Sequence, residues 1–158
     1  MIPISGIGAK RAAGFTLVEL LIVLAILAAA ATTVVLTLPD ERGQLRRQAE
    51  RFAARLQHAE QEAVLTNRRI AVRLDAQGYG FRVQRAGQWQ PLEAAGLESA
   101  VWDERVTPIL DQGDGLVARF DPAGLTEPLR LVLALDEARV AVILEASGKV
   151  RVSDDAGP

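Results

Sequence analysis

Apolar and polar positions change their rhythm twice along this chain. From Leu20 to Leu38 there is neither a charge nor a proline. At about 1.5 Å rise per residue this run reaches roughly the 30 Å of a bilayer core, which predicts a membrane-spanning helix over 15–39. Beyond Pro39 the pattern becomes amphipathic. Leu45, Ala49, Phe52, Leu56, Ala59 and Ala63 recur at spacings of three and four, so a helix with one apolar stripe is expected over 40–68. From Arg69 the period drops to two: Ile70, Val72 and Leu74 alternate with Ala71 and Arg73. A turn over Ala76 to Gly80 then leads into Phe81-Arg82-Val83, the second strand of a hairpin. Further strands are expected at Leu116 to Phe120, Leu129 to Leu135, Val140 to Leu144 and Lys149 to Val152. Asp136-Glu137-Ala138 and Ser147-Gly148 supply tight connections. Residues 86–115, with two tryptophans, scattered glycines and weak periodicity, read as a variable loop region. One face of a small sheet must find apolar cover, so the expected fold is α+β, with an antiparallel β domain over 69–158 packed on the amphipathic helix.

Composition narrows the chemistry more than the fold. The 158 residues suffice for one globular domain and an additional segment, and a net charge of -2 with interspersed signs does not describe a nucleic-acid binder. Without cysteine there are no disulfides and no thiolate metal sites. With His58 the single imidazole, a multi-histidine metal centre has no ligands to draw on. A metal centre is therefore not expected, and enzyme chemistry has little to build on. "DQGDG" (Asp111 to Gly115) lacks the ligand spacing of a calcium loop and reads as a turn. "GIG" at Gly6 to Gly8 and "GYG" at Gly78 to Gly80 lack a phosphate-loop pattern. Two points stay open: Trp89 and Trp102 suit either partner contact or buried loop anchors, and the line Arg47, Arg51, Arg55, His58, Glu62 suits a solvated face or a docking surface for an acidic neighbour.

Glu19 stands at the head of the apolar run, where a carboxylate costs about 2 to 3 kcal/mol on insertion scales. In a secretory signal peptide, cut near Ala28 to Ala31 to leave a soluble chain from about Thr32, that charge would serve nothing. The stretch Gly14-Phe15-Thr16-Leu17-Val18-Glu19-Leu20-Leu21 resembles the type IV prepilin motif, in which a short basic leader ends in Gly, Phe usually follows, and Glu is fifth in the mature chain. The leader 1–14 carries Lys10 and Arg11 and no acid. The resemblance implies that a prepilin peptidase cuts after Gly14, that Phe15 becomes the methylated first residue, and that the helix is retained. It also supplies a partner for Glu19, the Phe15 ammonium of a neighbouring subunit, although snorkelling to the interface is the plainer use of that carboxylate.

A second likeness lies at the other end. "FDPAGLTEP" (Phe120 to Pro128), two β runs and "SGKVRV" resemble the carboxyl-terminal part of the H-type minor pseudopilins of type II secretion, a pattern shared with minor type IV pilins. Phe120, Pro122 and Gly124 read as strand-end packing and turn residues. The resemblance implies a type IV pilin-like fold, a long helix on a sandwich of small antiparallel sheets, in a structural subunit of the pseudopilus. The resemblance implies no enzyme activity and no cofactor, and its implied partners are the major pseudopilin, other minor pseudopilins and the prepilin peptidase. The implied location is the bacterial inner membrane, crossed once, with the carboxyl-terminal domain in the periplasm, and then the pseudopilus near its tip. Arg42, Arg46, Arg47, Arg51 and Arg55 outnumber the two leader cations and by the positive-inside rule point the other way. Pairing of these arginines with Glu50, Glu60 and Glu62 on a folded helix would blunt that signal. The alternative is a minor type IV pilin acting as a binding module in DNA uptake, adhesion or pilus priming. Capture of DNA would call for clustered exposed Lys and Arg that the chain lacks, so no nucleic-acid partner is expected.

Overall fold

The computed structural model describes residues 16–37, 40–110 and 115–154. The chain divides between Pro39 and Asp40 into two units. Helix α1 (Leu17–Thr37) belongs to the first; helix α2 (Glu41–Thr66) and the strands belong to the second.

Local chemistry at both ends sets the length of α2. Asp40 caps it, its Oδ1 accepting from the Gly43 N–H at 2.9 Å while its carbonyl takes the Gln44 N–H. At the other end Asn67 adopts a left-handed conformation (φ 50°), and the N–H groups of Asn67 and Arg68 return to the carbonyls of Val64 and Ala63. That is a Schellman closure, with Asn in place of the commoner Gly. Between the caps Leu45, Ala49, Phe52, Leu56, Ala59 and Ala63 are all fully buried. The large ones contribute about 1.5–3 kcal/mol each on removal from water.

The stripe lies against two antiparallel sheets. One is five-stranded, ordered β3 (Gln88–Pro91), β2 (Gly78–Arg85), β1 (Ile70–Leu74), β6 (Gly115–Phe120), with β4 (Ala100–Val101) also paired to β2. The other is four-stranded, ordered β5 (Thr107–Leu110), β7 (Leu129–Leu135), β8 (Ala138–Leu144), β9 (Val150–Ser153). The helix touches β7, β8 and β9 of the second sheet and β1 and β6 of the first, so one apolar stripe serves both. Leu129, Leu131, Leu133 and Leu135 on β7 are buried at alternate positions, as a strand with a core face requires. A two-residue turn joins β7 to β8, with Asp136 at φ 51°. Another joins β2 to β3, with Ala86 at φ 48° and Gly87 at φ 80°. Both serve the right-handed strand twist that favours positive φ in short hairpins.

The fold is α+β, but two stretches differ from the sequence expectation. Residues 86–115, read as a loop region, contain β3, β4 and β5. Their signal is weak because β3 is an exposed edge, β4 has two residues and β5 contains Pro108. The expected turn at Ala76 to Gly80 is shorter. Asp75 Oδ1 accepts from the Gln77 and Gly78 N–H groups at 3.1 and 2.9 Å, and β2 begins at Gly78.

Candidate functional site

Gly14 and Phe15 lie outside the described residues; Glu19 lies inside them, in the first turn of α1. The helix starts there because Thr16 caps it: its Oγ1 accepts the Glu19 N–H at 3.2 Å and its carbonyl the Leu20 N–H at 3.1 Å. Thr16 with Glu19 three residues on has the spacing of a capping box, a signal in the sequence that the expectation for Glu19 did not use. A carboxylate in the first turn also suits the positive end of the helix dipole.

What distinguishes α1 is its surface. Leu17, Val18, Leu20, Leu21, Ile22 and Val23 are all exposed, from 76% at Leu17 to 41% at Val23. Consecutive residues point about 100° apart, so apolar side chains face every direction rather than forming one stripe. A helix of this kind needs cover on all sides, from lipid or from other helices. Among the residues whose side chains are described, no helix is long and apolar enough to cross a membrane; the side chains described for α1 end at Ala30.

In the β-containing unit the polar side of α2 is partly occupied. Arg55 Nη1 donates to the Tyr79 hydroxyl oxygen at 3.2 Å and to the Glu98 carbonyl at 3.1 Å, and its guanidinium lies 5.5 Å from the Tyr79 ring centre. Segment 94–101 therefore rests on the helix, and the reading of a wholly solvated arginine face gives way at Arg55. Burial raises the Tyr79 hydroxyl above its ordinary range, against the opposing pull of Arg55. Glu98 is held below its usual range by its own backbone N–H and that of Gly96, with Arg55 and His58 adding to the effect. Of the acids proposed to pair with the helix arginines, Glu50 does so, with Arg46 at 2.9 Å; Arg46 also meets Asp154 at 2.7 Å. Glu60 and Glu62 form no ion pair among the described residues.

The tryptophans separate. Trp102 is buried, its Nε1 donating to the Asp75 carbonyl at 3.2 Å and its ring 4.9 Å from Tyr79 and 5.7 Å from Phe52. Trp89 stays half-buried on β3. "GYG" also acquires a use. A Cβ on Gly78 would run into the Ala100 carbonyl oxygen and come within 2.9 Å of the Val101 Cα, so glycine here lets β4 lie against β2. In "FDPAGLTEP", Phe120 is buried and Gly124 has φ 82°; Asp121 accepts from the Ala123 N–H at 2.9 Å and from Arg69 at 3.0 Å, which together lower its carboxyl. This is a turn chemistry, as read from the sequence.

With this geometry in hand, similarity to known proteins is informative. Residues 48–148 match the family described as type II transport protein GspH, and residues 9–35 match the prokaryotic N-terminal methylation motif. The chain is similar to the type II secretion system protein H of Aeromonas hydrophila, 39% identical over 87 residues that make up 52% of this chain. That match spans 47%, about half, of the relative's own length. In structure it resembles the minor pseudopilin EpsH from the type 2 secretion system of Vibrio cholerae, with TM-score 0.64, 18% identity, and coverage of 72% of this chain and 99% of that one. It also resembles the type IV minor pilin FimU of Pseudomonas aeruginosa, with TM-score 0.58, 18% identity, and coverage of 75% and 95%. At such identities the two structures speak for the fold alone, and they carry it in both a secretion protein and a pilus protein.

Proposed function

The chain belongs to the GspH family of type II transport proteins, and from that premise we propose that it is a minor pseudopilin, a non-enzymatic structural subunit of the type II secretion pseudopilus. The type IV pilin alternative is not favoured, because the family match is to GspH while the likeness to FimU is one of fold. The observation that carries the reading is α1, apolar on every described face with one carboxylate in its first turn. Such a helix is stored in the inner membrane as a single span, with α2 and the strands in the periplasm, and becomes filament core when neighbouring helices replace lipid around it. Prepilin peptidase cuts after Gly14 and Phe15 is methylated, in keeping with the methylation motif over 9–35. Glu19 then pairs with the Phe15 ammonium of a neighbour, either the major pseudopilin or another minor one near the tip. In low dielectric that pair is much stronger than in water, and it sets axial register.

Replacement of Glu19 by Val tests this. It removes a carboxylate that the bilayer disfavours and lies beyond the scissile bond, so insertion and processing should persist. Assembly should fail, since a buried ammonium without its partner costs about 3–5 kcal/mol. The measurement is crosslinking to the major pseudopilin together with protein export, with Glu19→Asp as the milder control. Parental levels of both in Glu19→Val would remove the pairing role.

A further inference from the structure

A pocket of about 450 Å³ opens over the five-stranded sheet, between β3 and the turn that follows β6. Trp89 on β3 stands directly across from Gln84 on β2, and the Gln84 N–H donates to the Arg69 carbonyl at 2.9 Å, so these three form one row across the strands. The turn after β6 makes the opposite wall. It is held in place by the Asp121 N–H on the Leu125 carbonyl and the Glu127 N–H on the Arg119 carbonyl, at 2.9 and 3.0 Å. Arg69 Nε donates to Asp121 at 3.0 Å, and Arg119 Nη1 donates to both Glu127 oxygens at 2.8 and 3.0 Å. Each cation in the lining is thus matched by an acid. Gln84 is half-buried, and its side-chain amide has no hydrogen-bond partner among the described residues. Half-buried Trp89 and Leu125, which is 71% exposed, supply apolar surface.

Each feature restricts the ligand. An ion of either sign meets an attractive and a repulsive partner side by side, so the pocket gains little from charge and selects a neutral molecule. Its polar groups are forks of donors beside forks of acceptors, with a free amide that offers both. A hydroxyl answers all three, because it donates and accepts at once, and it does so without breaking either ion pair. The indole calls for an apolar face, and its own negative face attracts C–H groups. A peptide also carries donors and acceptors, but it docks on a sheet by adding a strand at an edge. Here the backbone beneath the pocket is spent in the β1–β2, β1–β6 and β2–β3 ladders. We propose that this pocket binds an uncharged saccharide. The C–H face of one sugar ring lies on Trp89. Its hydroxyls accept from the remaining N–H groups of Arg69 and Arg119 and donate to Asp121, Glu127 and Gln84 Oε1. The volume falls within the range of about 300–1,000 Å³ usual for small-molecule sites. None of these requirements depends on α1 or on filament assembly.

The test uses the full chain in a detergent without a sugar headgroup. Saturation-transfer NMR is recorded on cellobiose, maltose and N,N'-diacetylchitobiose in turn, each raised to about 10 mM, a range that reveals Kd values on the order of 1 mM. At least one of the three should bind, with the strongest transfer to ring C–H protons. Trp89→Ala should weaken that binding about tenfold. Gln84→Leu should weaken it about fivefold while melting with the parent, because the Gln84 amide holds nothing within the protein and a merely structural residue would not separate the two readouts. Inorganic phosphate at matched ionic strength should not displace the sugar, and acetyl-trialanine-amide should show no transfer. Silence from all three saccharides would overturn the proposal, as would unchanged affinity in Trp89→Ala or Gln84→Leu. Displacement by phosphate would show that the arginines are open to anions, and binding of the blocked peptide in place of the sugars would assign the pocket to a polypeptide; either result overturns it as well.

Discussion

Replacing Gly78 by Ala should destabilise the β-containing unit although it adds only a methyl group. The new Cβ would collide with the Ala100 carbonyl oxygen and stand 2.9 Å from the Val101 Cα, and both obstacles are backbone. Overpacking of this kind costs about 1–3 kcal/mol. Against it stands the usual gain from a less flexible unfolded chain, about 0.4–1 kcal/mol. The net loss is then about 1–2 kcal/mol. Should β4 peel away instead, Trp102 loses its place against Phe52 and Tyr79, together with its bonds to Asp75 and Gln77, so relaxation offers no inexpensive escape. For a unit of this size each kcal/mol moves the melting temperature by roughly 4 °C, so a fall of roughly 4–8 °C is expected. Gly80→Ala is the control. Its Cβ would meet Ser99 Oγ at 2.7 Å, the end of a side chain that can rotate, so its effect should stay within about 0.5 kcal/mol. The assay is a thermal melt of the full chain in detergent micelles, followed by tryptophan fluorescence and circular dichroism. A Gly78→Ala protein that melts with the parent, or a Gly80→Ala protein that falls as far, would refute the close-approach argument.

Three further outcomes are expected. Gly14→Glu should leave the unprocessed precursor in the inner membrane, because a bulky acidic side chain occupies the place where the peptidase needs close backbone approach; normal mature chain on a gel would end the cleavage assignment. Phe52→Ala, at a fully buried position whose ring lies 4.7 Å from Tyr79, should cost about 3–5 kcal/mol by urea denaturation, with Phe52→Leu much milder. Tyr79 is the single tyrosine, so phenolate absorbance reports it alone; burial should move its midpoint above the ordinary value of about 10. Because the folded pKa is the higher one, that contribution to stability is complete below about pH 10 and is lost as pH rises through the folded midpoint. A midpoint at or below the ordinary value would contradict the burial.

How legible this protein is from its residues depends on how local the relevant physics is. The stripe from Leu45 to Ala63 and the alternation of β1, β7 and β8 could be read directly, since each element turns its large apolar side chains to one face and its period follows from backbone geometry alone. The apolar run and the lone Glu19 were equally plain, because the cost of a charge in a hydrocarbon needs no tertiary partner to be known. β3, β4 and β5 were not legible. An edge strand such as Gln88–Pro91 or a two-residue strand such as Ala100–Val101 buries too little to leave a periodic trace; it exists because β2 offers unpaired backbone at that place. The same holds for the polar face of α2. Nothing in the spacing of Arg47, Arg51 and Arg55 says that Arg55 is engaged and Arg51 is not. That difference is set by Tyr79, 24 residues further on from Arg55, and by the strand that Gly78 admits beside it. Sequence alone determined the elements with a buried face and the chemistry of the amino-terminal helix. Only the tertiary structure decided which edges pair and which charges remain unpaired, because those depend on groups brought together across long stretches of chain.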